Sequence, residues 1–303
     1  MKSAQLLAIL LAIMVVAASV PASAAITLYD KEGLSFTTDG SFNTFYVFSD
    51  SQKNDEMTTL LGIPDRQQSR VKMGFLPNWI GFNFSKQLGN MKVGGRSSFW
   101  VSINDGQQID GTHGLTDSLI DVRQFYGTVD GSWGQVLFGK DFTLFNRSNI
   151  FLDEILLGYG NVSDTLGLIN GTDVSFGDIG TGYTYPMPSS QITYRTPELA
   201  GAKLAIGLID PAHTSGAGGQ EKAPRLEGEL TYNHAFGPAA VNAWVGFLAQ
   251  NSTNDNGEDV DSRGVSYGIR ATLAGLALHA SGFTAEGAGF LLGPVRTPLS
   301  AFR

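Results

Sequence analysis

Hydropathy along most of this 303-residue chain alternates with a period of two. In Arg225–Phe236, Leu226, Gly228, Leu230, Tyr232, His234 and Phe236 fall on one side, and Arg225, Glu227, Glu229, Thr231 and Asn233 on the other. In residues 262–273, Val265, Tyr267, Ile269, Ala271 and Leu273 oppose Ser262, Gly264, Ser266, Gly268, Arg270 and Thr272. Two is the side-chain period of a β-strand, and a helix repeats at 3.6. The same alternation runs through 36–48, 70–75 and 92–104. It is weaker at 121–130, 135–141, 191–196, 202–210, 239–250 and 276–284. This predicts about eleven strands, mostly of roughly 8–14 residues, the length that tilted strands need to cross a bilayer.

The connections alternate in length as well. Short turns occur at Asp130-Gly131-Ser132, Phe236-Gly237-Pro238 and Ala274-Gly275, and longer polar segments at 49–68, 105–118, 213–222 and 251–261. Short turns on one rim and long loops on the other are the pattern of an outer-membrane barrel. One connection, about residues 142–190, lacks clear strands and is long enough to call for a function. A β-sandwich would also alternate, but its strands average nearer 5–6 residues. The two differ in which face is covered: a sandwich buries its apolar face against a second sheet, whereas a barrel turns it to lipid.

The N-terminus carries an address. Met1-Lys2, the apolar run 6–20 and Pro21-Ala22-Ser23-Ala24 have the three-part form of a secretory signal peptide. Residues 1–24 are therefore read as a leader, with the mature chain starting at Ala25. There are no cysteines, which removes disulfides, thiolate metal sites and cysteine nucleophiles. With 42% apolar residues the chain can bury surface and is not disordered, and its 38 glycines argue against a coiled coil. Its net charge of −8, with no basic stripe, argues against nucleic acid as a partner.

Several stretches resemble general diffusion porins of the Gram-negative outer membrane. Residues 26–33, Asp39-Gly-Ser-Phe42 and Tyr46-Val-Phe-Ser-Asp50 resemble their first strand, and Ser69-Arg-Val-Lys-Met-Gly-Phe75 their second. Arg123-Gln-Phe-Tyr-Gly-Thr-Val129 with Trp133-Gly-Gln-Val-Leu-Phe-Gly-Lys140 resembles the strand pair before the constriction loop. Residues 191–201 resemble the strand that leaves it. The likeness runs from about residue 26 to about 284. It implies an all-β, transmembrane antiparallel β-barrel of sixteen strands, usually a homotrimer, lying among outer-membrane lipid and lipopolysaccharide and passing ions and small hydrophilic solutes. It also implies an eyelet, where basic wall residues face acids of an inward-folded loop. The matching cations are Arg70, Lys140 and Arg195, and the candidate loop acids are Asp153 and Glu154, ahead of Asp164, Asp173 and Asp178.

Two departures stand out. The loop lacks the family's Pro-Glu-Phe-Gly-Gly stretch. About eleven strands are also fewer than sixteen, and the tail from 285 to 303 holds Pro294 and Pro298, reads as irregular and ends in Phe302-Arg303. The barrel domain is accordingly expected over 25–284, with C-terminal strands missing by truncation or frameshift near Gly287.

Other chemistry is weakly signalled. Gly264-Val-Ser266-Tyr-Gly268 spells a G-x-S-x-G motif, but mid-strand rather than on a strand–turn–helix elbow. His113, His213, His234 and His279 have no metal-ligand spacing, and the acidic run 254–261 does not fit an EF-hand frame. No enzyme, metal or cofactor is predicted. The expected function is passive diffusion through a water-filled channel, and the competing expectation is an exported β-rich binding protein such as a glycan adhesin.

Overall fold

A computed structural model describes residues 25–51, 66–74, 76–101, 103, 120–154, 156–158, 185–211, 220–254 and 256–287. These hold fourteen strands: β1 (Ile26–Lys31), β2 (Leu34–Ser41), β3 (Phe45–Ser51), β4 (Arg66–Lys72), β5 (Asn78–Leu88), β6 (Met91–Val101), β7 (Ile120–Gly131), β8 (Gly134–Asp141), β9 (Ser189–Arg195), β10 (Ala202–Ile209), β11 (Arg225–Phe236), β12 (Ala239–Thr253), β13 (Asp259–Leu273) and β14 (Leu276–Glu286). One short helix, α1 (Arg147–Phe151), lies in the long connection after β8. Twelve strands form one antiparallel sheet in the order β1-β2-β5-β6-β7-β8-β9-β10-β11-β12-β13-β14, and β3 with β4 forms a separate pair. Among the described residues the large sheet remains open between β1 and β14. No described helix is long and apolar enough to cross a membrane, so any crossing falls to the strands.

The connections keep the predicted rhythm. Two-residue turns join β1 to β2, β5 to β6, β7 to β8, β11 to β12 and β13 to β14, and longer links alternate with them from β5 to β9 and from β10 to β14. At the last turn Ala274 and Gly275 take φ of 48° and 87°. Two positive φ values in succession give the turn whose twist matches that of the flanking strands.

The strand count differs from the eleven expected for three local reasons. β1 is exposed throughout, and its register with β2 shifts between Thr27 and Tyr29, so no clean alternation marks it. β5 went uncounted although Ile80, Phe82 and Phe84 oppose Gly81, Asn83 and Ser85 along it. The run 36–48 is two strands. β2 pairs with β5 and β3 with β4, with a break between them where Pro77 has no N–H to give to a ladder. The Asn43 amide fills part of that gap: its Oδ1 accepts from Gly74 N (2.5 Å) and its Nδ2 donates to the Leu76 carbonyl (3.1 Å). At the far end β14 continues to Glu286, past the expected boundary at 284. The leader 1–24, the loop acids Asp164, Asp173 and Asp178, and the tail from 288 lie outside the described residues.

The distribution of polarity across the sheet is the reverse of a water-soluble core. The covered face carries Ser98, Gln124, Thr128, Asp141, Gln191, Thr193, Glu227, Glu229, Gln250, Ser262 and Ser266. The uncovered face carries Ile80, Phe84, Phe125, Phe138, Ile192, Ile206, Leu208, Leu230, Val245, Val265, Tyr267 and Ile269. Adjacent positions on β13 make the contrast plain, with Tyr267 51% exposed and Ser266 1%. A sandwich would bury the apolar row against another sheet. Here that row stands open, as a lipid-facing surface requires.

Tyr267→Arg places a guanidinium on this face near the middle of β13. In lipid it is expected to cost about 2–4 kcal/mol, read as a lower urea midpoint for unfolding from vesicles. A cost within ~0.5 kcal/mol, the usual range for a change on a watery surface, would instead favour the exported binding protein.

Candidate functional site

The inner face carries a continuous array of hydrogen bonds and ion pairs from β2 to β9, because residues of one strand parity line up across the register. Arg96 of β6 pairs with Asp39 of β2 through two bonds (2.6 and 2.9 Å) and donates to Asn83 of β5 (2.7 Å). Its Nε donates to Gln124 Oε1 of β7 (2.7 Å), and Gln124 Nε2 donates to Asp141 of β8 (2.8 Å). Asp141, 1% exposed, then gathers two cations: Arg195 of β9 at 3.8 Å and Arg147 of α1 at 3.3 Å. Two guanidiniums on one carboxylate make this the densest charge cluster of the array.

A β-bulge adds a further inward group. The β6–β7 register shifts between Ser98 and Phe99, so both Arg123 and Gln124 are buried although they are adjacent in sequence. Arg123 lies over the Trp100 ring (4.8 Å from its centroid), donates to the Tyr185 hydroxyl (2.6 Å) and pairs with Asp121 (2.8 Å).

The connection after β8 folds onto this face. Phe142, Ile150, Leu156 and Tyr185 pack with Leu76 and Trp100 into the principal apolar cluster of the described residues. α1 begins at Asn146, which has a left-handed φ of 60° and makes no side-chain cap. The wall supplies what the helix lacks. Glu227 of β11 accepts from the backbone N–H of Leu144 (2.7 Å) and Phe145 (2.8 Å), and Glu229 accepts from Ser148 N–H (3.0 Å). Asn149 accepts from the Trp244 indole of β12 (2.5 Å) and donates to the Gly282 carbonyl of β14 (3.2 Å). Glycine makes room at Gly268, where a Cβ would stand 2.1 Å from the Trp244 ring.

The residues predicted from sequence divide. Arg195 lies in the cluster and also donates to Gln135 (2.9 Å). Arg70 shares a face of β4 with Lys72, opposite the exposed Val71, and belongs to the β3–β4 pair rather than to the sheet of Arg195. Lys140 has the parity of the exposed Phe138 and pairs across β7 with the exposed Phe125, while its neighbour Asp141 turns inward. Glu154 does reach a wall cation, but that cation is Arg270 of β13, none of the three expected. Asp153 follows α1, its N–H donating to the Ile150 carbonyl (3.1 Å). Arg96, Arg123, Asp141, Arg147 and Glu227 were not singled out by sequence. Strand parity marks the inward side of Arg96 and Glu227, but nothing local marks the bulge that turns in Arg123 or the helix that delivers Arg147.

Glu227→Ala strands two backbone amides of the loop. Since a hydrogen bond to a charged group contributes roughly 1.5–3 kcal/mol, tryptic cleavage after Arg147 in the folded protein is expected to rise at least about tenfold. Electrophoresis of timed digests in detergent checks this.

Comparison with known proteins places these features in a family. A search of the curated proteins finds no match. Among solved structures, the outer membrane channel DcaP of Acinetobacter baumannii aligns with a TM-score of 0.53 and 18% identity, over 85% of this chain and 66% of that one. The anion-selective porin from Comamonas acidovorans gives a TM-score of 0.46 and 17% identity, over 82% and 78% respectively. The likeness to the first is one of fold, and the chain spans about two thirds of that channel's length. The sequence profile of the Gram-negative porins matches residues 10–291, and the chain belongs to that family.

Proposed function

We propose that this protein is an outer-membrane porin, a water-filled channel for passive diffusion of ions and small hydrophilic solutes. The observation that carries the reading is the pairing of an open apolar outer face with a polar inner face onto which a loop is folded and bonded. Such an arrangement has use only where lipid lies outside and water inside. The leader of residues 1–24 is removed on export, and the mature chain sits among lipid and lipopolysaccharide as a homotrimer. Transport needs no bond to be made or broken, so the charged groups act through their fields alone.

Selectivity is set at the narrowing by fixed charge, as in other wide pores. Arg195 with Arg147 and Asp141, Arg70 on β4, and the Glu154–Arg270 pair carry it, with Asp153 at the edge of the loop. Lys140 is the weakest member, given the face it shares with Phe138. The glycan-adhesin reading has no comparable support, since it leaves the apolar face unexplained.

The mature chain, refolded and added to a planar bilayer, is expected to give discrete ohmic steps. Silence from a sample soluble without detergent would sink the reading. In Arg195→Gln the reversal potential under a salt gradient should move toward cation preference. One unit charge about 8 Å from a permeating ion in water contributes ~0.5 kcal/mol, favouring an anion and disfavouring a cation by that amount, so the anion-to-cation permeability ratio should fall about sixfold.

A further inference from the structure

A cavity of about 230 Å³ opens between α1 and the β11–β12 wall. Arg147 and Phe151 bound it from the helix, and Glu229, Thr231, Asn233 and Asn242 from the strands. Its volume is just below the range of pockets that bind drug-sized ligands, and far larger than a bare ion needs.

The chemistry of the lining narrows what can stay there. Among the described residues lining it, Arg147 and Glu229 alone carry charge, one of each sign, so the lining has no net charge with which to hold an ion. Both are already engaged. Arg147 donates to the Phe142 carbonyl (2.6 Å) and pairs with Asp141 (3.3 Å), while Glu229 accepts from Ser148 N–H (3.0 Å). What the cavity presents besides is neutral and hydrogen-bonding. Asn242 donates to Asn233 (2.6 Å), leaving further donor and acceptor capacity on both amides, and the Thr231 hydroxyl stands beside them. Phe151, 40% exposed, adds an apolar ring surface next to these groups. Neutral amides and a hydroxyl beside an aromatic face match a molecule with several hydroxyls and exposed C–H groups.

We propose that this cavity is a solute subsite inside the channel that retains an uncharged polyhydroxylated molecule of monosaccharide size. The proposal rests on the channel reading above. It makes the pore more than a sieve: a hexose would pause beside α1, while an inert polymer of similar size would pass without stopping.

The test is single-channel recording on the full mature chain, refolded in detergent, with D-glucose, glycine and a poly(ethylene glycol) of about 200 Da as probes. Glucose is expected to produce excess current noise that saturates with concentration, and the polymer none. In Asn242→Ala and in Thr231→Val, each losing one polar partner, the half-saturating concentration should rise about tenfold with the step size unchanged. Using two separate variants guards against one of them failing to fold. Ohmic steps with glucose no more effective than the polymer would overturn the subsite and leave the channel intact. So would equal half-saturation in the parent and in a variant that conducts. Saturation by glycine without glucose would overturn it in favour of a zwitterion site. Absence of steps altogether would overturn the channel reading, and the subsite with it.

Discussion

The apolar row on the outside of the sheet is the constraint from which the rest follows. Once Val245, Val265, Tyr267 and Ile269 face lipid, every alternate residue must face inward, and most of those residues are polar, with Leu137, Ile209, Trp244 and Leu248 as apolar exceptions. Outside the apolar cluster around Phe142 and Trp100, hydrophobic burial then does little to assemble the interior, so order there depends on hydrogen bonds and paired charges. Where these groups are covered, as Asp141 and Glu227 are at 1% exposure, losing a partner is more damaging than on a watery surface. The array from Asp39 through Arg96, Gln124 and Asp141 to Arg195 is that solution, with each polar group given a partner on the next strand.

The loop after β8 is fixed in the same way and not by its own propensity. α1 is five residues long and starts from a left-handed Asn146 without a side-chain cap. An isolated helix of that length does not persist in water. It persists here because Glu229 of β11 accepts from its Ser148 amide and Glu227 from the two amides just ahead of it, β12 supplies an indole to Asn149, and Phe142 and Ile150 have Trp100 and Leu76 to pack on.

The sequence therefore revealed the scaffold more fully than the contacts of the loop folded onto it. Alternation is local, so β11 and β13 can be read along the chain, including which of their residues face inward, whereas β12 alternates weakly because Trp244 and Leu248 face inward beside the outward Val245 and Phe247. The break between β2 and β3 cannot be read so, because its cause, Pro77, stands across the ladder more than thirty residues away. The pairing of Glu154 with Arg270 spans 116 positions, and the inward turn of Arg123 depends on a register shift against β6. Lys140 resembled an eyelet cation by motif, whereas parity with Phe138 sets its face. Resemblance located the loop, but the groups that hold it are set by register between distant strands.

The carboxylate of Glu227 lies 83 residues downstream of the first amide that it holds. During assembly the loop after β8 is complete long before β11 has paired with its neighbours, and until then α1 has Leu76 and Trp100 to pack on but neither carboxylate of β11. Closing so long a span carries an entropic cost that local hairpins avoid. The strands thus come first and the fastening of the loop last: an intermediate built only as far as β10 would leave the amides of Leu144, Phe145 and Ser148 without the carboxylates that hold them.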